Sequence, residues 1–217
     1  TRDRLYFHNL NDNDSGIFKA MGALIADRGG FTPVIIKDND DMLGVVTVHD
    51  GPALPEGEII APVVGAETRS KETFHNNFQN PEAFLTAGGY RGRQYQVLTE
   101  GTYYINRLFA TIEIISKTIV DVGYVGVVVS YTGQTGADLS STEYKHGELV
   151  AQGTRSVWET PLLPGKYAFN TYAGKVVMVP TTNFILKWKK SESGSHRFDE
   201  NLAEVGLITK DAFEPSL

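Results

Sequence analysis

The chain has 217 residues, 41% of them hydrophobic and 21% charged, which is enough apolar material for one large globular domain or two small ones. Its 20 basic against 26 acidic residues leave a net charge of −6, which excludes a general electrostatic attraction for nucleic acid or an anionic membrane surface. Cysteine is absent, and with it any disulfide framework, thiolate metal cluster or cysteine nucleophile.

Residues 1–42 are set apart as an N-terminal segment. Within it, 16-GIFKAMGALIA-26 predicts a helix, with Ser15 as its cap and Phe18, Met21, Leu24 and Ile25 as its apolar face. The acidic runs 11-NDND-14 and 38-DNDD-41 lack the glycine and the distal glutamate of a calcium loop, so no metal site is expected there. Beyond residue 42 the pattern turns to strands. Segments 43-LGVVTV-48, 110-ATIEIISKTIV-120, 124-YVGVVVSY-131 and 175-KVVMVP-180 are short, rich in β-branched residues and separated by Gly, Pro, Asn and Asp. Between the first two, 80-NPEAFLTAGG-89 reads as a helix: Asn80 caps it, Pro81 fits its first position, and Gly88 or Gly89 ends it. The basic run 187-KWKK-190 reads as a solvated strand end. No window has the roughly 18 uninterrupted apolar residues of a membrane span, and no signal-peptide pattern opens the chain. A start at Thr1 and a stop at 211-DAFEPSL-217 suggest part of something longer.

One phrase is written twice. The run 101-GTYYIN-106 returns as 165-GKYAFN-170, at an offset of 64, and the same offset carries Arg91 onto Arg155, Leu98 onto Leu162 and Thr118 onto Thr182. Upstream, 43-LGVVTVHDG-51 matches 125-VGVVVSYTG-133 at an offset of 82. The first copy is longer between its landmarks, 50 residues against 32, and 74-FHNNFQNPEAFLTAGGY-90 accounts for the surplus. The expected fold is therefore mainly β, of the α+β class: two duplicated small antiparallel β units at 43–120 and 121–190. The first carries a short helical insertion near 81–88, and residues 191–217 form a linker and the start of a further domain. The repeated residues, Gly101, Tyr103 and Asn106 with Gly165, Tyr167 and Asn170, read as a turn that needs glycine at positive φ, a tyrosine that starts a strand with its ring inward, and an asparagine that ends it. A duplicated turn and strand is how a chain builds a stack of like modules.

Catalytic patterns are missing. The histidines, His8, His49, His75, His146 and His196, are scattered, lack zinc-ligand spacing and read as surface or turn residues. There is no nucleophile elbow, and 88-GGYRG-92 lacks the lysine that completes a phosphate loop. No catalytic residue, cofactor or metal is expected.

The runs 78-FQNPEAFLTAGGYRGRQYQVLTEGTYYINRLFATIEI-114, 123-GYVGVVVSYTG-133 and 158-WETPLLPGKYAFNTYAGKVVMVPTTNFILKW-188 resemble the region leading into the SPFH (band 7) domain of large flotillin-like proteins. The closing 199-DENLAEVGLITKDAFEPSL-217 resembles the opening of that domain, with Ala212 where glycine is usual. The Gly-x-Tyr phrase is more loosely similar to repeats of the major vault protein. Residues 1–42 match no part of this family. The resemblance implies a non-catalytic scaffold, tethered to a membrane by a segment outside this chain and forming homo-oligomers through the SPFH domain and a coiled coil largely outside it. The chain itself is expected to be soluble and to remain a monomer or small oligomer. In the alternative reading the insertion presents Phe74, Phe78, Phe84 and Tyr90 to a protein partner. The run 205-VGLITKDAFEPSL-217 reads as a first strand whose partners lie further on.

Overall fold

A computed structural model describes residues 15–67, 70, 72–143, 149–181, 189–190 and 196–197. The expectations on Thr182, His8, His146, the 205–217 strand and the first two residues of 187-KWKK-190 lie outside them.

The architecture is mainly β, with antiparallel sheets and two α-helices. It divides into two compact units, Thr1–Glu56 with Ala61–Ile115, and Gly57–Ile60 with Ser116–Leu217.

In the first unit, helix α1 (Ser15–Asp27) precedes strand β1 (Val34–Ile36), a short 3-10 turn (Asp38–Asp40) and β2 (Met42–Val48). Helix α2 (Pro81–Thr86) follows, and then β3 (Gly92–Leu98), β4 (Gly101–Tyr103) and β5 (Ala110–Ser116). The helix at Ser15–Asp27 takes in the predicted one; Phe18, Met21 and Ile25 are half-buried along one face, while Leu24 is exposed. Strand β2 is central, in the order β3-β2-β5. Its run Leu43 to Val46 is buried on both faces, which is why it is apolar without alternation. A two-stranded antiparallel ribbon, β1 with β4, lies beside this sheet. The core gathers Val34, Ile36, Val46, Val48, Phe84 and Phe109 with their neighbours.

In the second unit, β6 (Thr118–Val120), β7 (Tyr124–Ser130), β8 (Leu149–Val150), β9 (Ser156–Trp158), β10 (Gly165–Tyr167) and β11 (Gly174–Pro180) follow in turn. The sheet runs β11-β7-β9-β8, and β6 forms a ribbon with β10. The pair β8 and β9 is parallel, a departure from the antiparallel pattern. Pro180 closes an edge strand, where its missing N–H costs no ladder bond. The core is Val128, Val150 and Trp158, with Leu162, Phe169 and Val176 packed on it. Two short strands, β12 (Lys189–Lys190) and β13 (His196–Arg197), pair antiparallel.

The duplication recurs in the backbone. Ile36 pairs with Gly101 and Val34 with Tyr103 in one ribbon; Val120 pairs with Gly165 and Thr118 with Tyr167 in the other. Gly44 pairs with Leu98, and Gly126 exchanges both backbone hydrogen bonds with Leu162 at 2.8 and 2.7 Å. A Cβ on Gly44 would meet Ile112 at 2.8 Å and then Ile36 and Leu98; on Gly126 it would meet Val176 at 2.6 Å and then Val120 and Leu162. Ile112 and Leu98 are the mates of Val176 and Leu162 at the offset of 64, while Ile36 and Val120 correspond as the residues that pair with Gly101 and Gly165. The glycine keeps the central strand bare where the ribbon crosses it. Further on, Gly51 and Gly133 share a φ of 103°, and the Arg91 and Arg155 N–H groups donate to the Pro52 and Gln134 carbonyls at 2.9 and 3.0 Å.

Candidate functional site

The insertion at 74–90 is what makes the first copy longer than the second. Its helix begins as the sequence directs: Asn80 Oδ1 accepts the Ala83 N–H at 3.2 Å, Pro81 stands at the first helical position, and Gly88 follows the helix at φ 80°. The helix buries Ala83 and Phe84. Phe84 packs edge-on against Phe109, ring centroids 5.5 Å apart, and tilts against Phe78 at 5.6 Å. Gly89 lies so close to the Phe84 ring that any Cβ there would overlap it.

This corrects the aromatic surface expected of the insertion. Phe78 and Phe84 are 1% and 0% exposed, and Phe74 and Tyr90 are half-buried. The three-stranded sheet leaves an apolar face that the insertion covers, so its largest apolar side chains turn inward. The two inward phenylalanines are core residues and are not available to a partner.

His75 is likewise not a surface residue. It is 1% exposed and contacts both Phe78 and Phe84, at centroid distances of 4.7 and 5.5 Å. Its Nδ1 accepts the Phe78 N–H at 2.8 Å, and its Nε2 lies 2.7 Å from the Val64 carbonyl oxygen. Burial lowers its pKa from the ordinary 6.5 and outweighs the backbone hydrogen bonds, which act the other way. The three residues after it, Asn76, Asn77 and Phe78, have φ of 47°, 53° and 64°. Asparagine tolerates the left-handed region; phenylalanine does so at a cost of roughly 1–2 kcal/mol, so the turn relies on its hydrogen bonds and on burial of the Phe78 ring. Among the sequence signals, only the doubled asparagine pointed to this turn.

The repeated phrase is a tyrosine corner in both copies. Tyr103 Oη donates to the Thr99 carbonyl at 3.1 Å, and Tyr167 Oη donates to the Leu163 carbonyl at 2.8 Å. Asn106 and Asn170 each accept the backbone N–H two residues on, from Leu108 at 3.0 Å and Tyr172 at 3.1 Å. Two expectations change. The tyrosine closes its short strand and the glycine opens it. Gly165 does not take a positive φ, whereas Gly101 has φ 156°. The hydroxyl bond back to the residue four before the tyrosine fixes the corner, so the glycine after Pro164 is free to be ordinary extended backbone.

The sequence did not announce a cavity of about 550 Å3 in the first unit, walled by Phe18, Met21 and Ile25 of α1 and by the loop 104–108. Arg28 Nη1 donates to the Arg107 carbonyl and Arg107 Nη2 to the Thr32 carbonyl, both at 2.9 Å, which ties the end of α1 to that loop. Phe31 and Tyr104 stand at its rim, 91% and 69% exposed. The walls are mainly apolar and suit an apolar guest or side chain rather than a reaction. Among the described residues, no group of three or more metal-ligating side chains comes together, and no helix is long and apolar enough to cross a membrane.

No family model, curated protein or solved structure matches this chain.

Proposed function

We infer that the chain is a non-catalytic structural segment of a membrane-associated SPFH (band 7) scaffold. The carrying observation is the duplication. Two units repeat the same ribbon pairings, the same tyrosine hydroxyl bond and the same glycine crossing. Such repetition suits a chain that sets a spacing or stacks modules. The quoted runs between 78 and 188 supply the family. On this reading the whole protein reaches the membrane through a segment outside this chain and assembles as a homo-oligomer through its SPFH domain and coiled coil. No cofactor or nucleic acid takes part.

The reading is tested on the intact protein isolated from its native membranes. Flotation with lipid, together with large closed homo-oligomers in negative-stain microscopy, is the expected result. A protein that stays monomeric and does not float would end it. The alternative, a partner held by the aromatic residues of 74–90, is not favoured, because Phe78 and Phe84 are buried.

A further inference from the structure

The turn His75 to Phe78 is held by a histidine with both ring nitrogens engaged. A backbone N–H only donates, so Nδ1, which receives the Phe78 N–H at 2.8 Å, carries no proton; Nε2 then carries one and donates it to the Val64 carbonyl at 2.7 Å. The ring is neutral, in one tautomer, and 1% exposed. Val64 and Gly65 lie against one side of it and Phe78 and Phe84 against the others. None of these carries charge, and the carboxylates on the same segments, Glu67, Glu72 and Glu82, are exposed. The turn also reaches outward. Gln96 Nε2 donates to Asn77 Oδ1 at 3.1 Å, and the Tyr104 N–H donates to Gln79 Oε1 at 3.0 Å.

We propose that His75 is a proton-operated latch: protonation at Nδ1 opens the 75–79 turn, draws Phe78 out of the aromatic core and releases Tyr104 from Gln79. The new proton occupies the lone pair that accepts the Phe78 N–H. Two N–H groups are then left facing each other at hydrogen-bonding distance, and a buried positive charge has no counter-ion among the described residues. The charged ring is satisfied only in water, and the turn is the part that yields. Its three consecutive left-handed residues relax to ordinary backbone once the Phe78 bond is gone. Opening exposes the Phe78 and Phe84 rings in mild acid and conceals them at neutral pH. Among the described residues of the second unit there is no such insertion.

Because the closed turn excludes the proton, the open population rises by up to about tenfold for each pH unit below the ordinary histidine value of about 6.5. Hydrogen exchange of the whole chain at pH 7.5, 6.5, 5.5 and 5.0, corrected for intrinsic rates, measures this. Amides 75–80 are expected to lose protection at about that rate below pH 6.5, while those of β7 and β9 hold theirs. His75→Asn keeps an acceptor for the Phe78 N–H and cannot be protonated, so its protection is expected to stay level. Constant protection of 75–80 in the wild type, or an equal fall in His75→Asn, would overturn the latch. Long-range proton–nitrogen NMR of the wild-type ring decides independently of whether the variant folds. An Nε2–H tautomer charging below pH 6.5 supports the proposal; an Nδ1–H tautomer, or charging at or above 6.5, defeats it.

Discussion

Gly101 and Gly165 hold the same place in the two copies and face different constraints. A Cβ on Gly101 would lie 2.9 Å from Tyr103 Oη and 3.0 Å from its Cζ, atoms held in place by the tyrosine corner. On Gly165 the nearest approach is an ordinary 3.6 Å. Gly101→Val is therefore expected to destabilise by roughly 1–3 kcal/mol through overpacking, and Gly165→Val to stay within about 0.5 kcal/mol. Urea unfolding of both variants checks this, and equal effects would mean that the two corners are built alike. A second pair runs the other way. Gly92 has φ 115° and its offset mate Ser156 has φ 114°, a conformation that suits glycine and strains serine. Ser156→Gly is expected to raise stability by roughly 0.5–1 kcal/mol, since relief of strain exceeds glycine's added chain entropy. A lowered unfolding midpoint would show that hydrogen bonds of the serine outweigh the strain.

Among the elements, α2 is the shortest helix that buries a large side chain, and it depends on its ends more than on its length. Six residues are too few to persist alone in water. Removing the cap by Asn80→Ala is expected to cost about 0.5–2 kcal/mol, because the Ala83 N–H loses its acceptor. Phe84→Ala removes the ring that joins Phe78, His75 and Phe109, with an expected loss of about 3–5 kcal/mol. Differential scanning calorimetry orders the two; a cap variant as damaging as the ring variant would place the anchoring of the insertion in its turn. The expected helix was legible because capping is a local property of Asn80, Pro81 and Gly88. Which way Phe84 would point was not legible, since that depends on a sheet whose strands start as far back as Met42 and end as far on as Ser116.

Acid is expected to weaken the whole molecule in a defined window. His75 has its pKa lowered by burial, and His49 has its pKa lowered by burial and then by the charge of Arg28. Between each lowered value and 6.5 the unfolded chain binds a proton that the folded chain refuses. This part of the stability is therefore complete above about pH 6.5 and is lost as pH falls through the window. Urea midpoints at pH 7.5 and 5.5 measure it, and His75→Asn should remove most of the difference, since His49 is exposed. An undiminished difference in the variant would move the effect to other groups.

By itself the sequence determined the β-rich class, the doubling of the unit, the two offsets and both helices, because these rest on spacing, β-branching and caps, which act over a few residues. It also located the residues of the corner, Gly101, Tyr103, Gly165 and Tyr167, though it put the tyrosine at the start of the strand that the tyrosine closes. Tertiary structure decided the rest. It paired β1 with β4 and β6 with β10, set Gly44 and Gly126 under the crossing ribbons, and turned Phe78 and Phe84 inward to close a sheet face. It also buried His75 between a carbonyl and an amide, which no spacing along the chain could indicate. Burial is a property of what the rest of the chain places overhead, and local pattern carries no record of it.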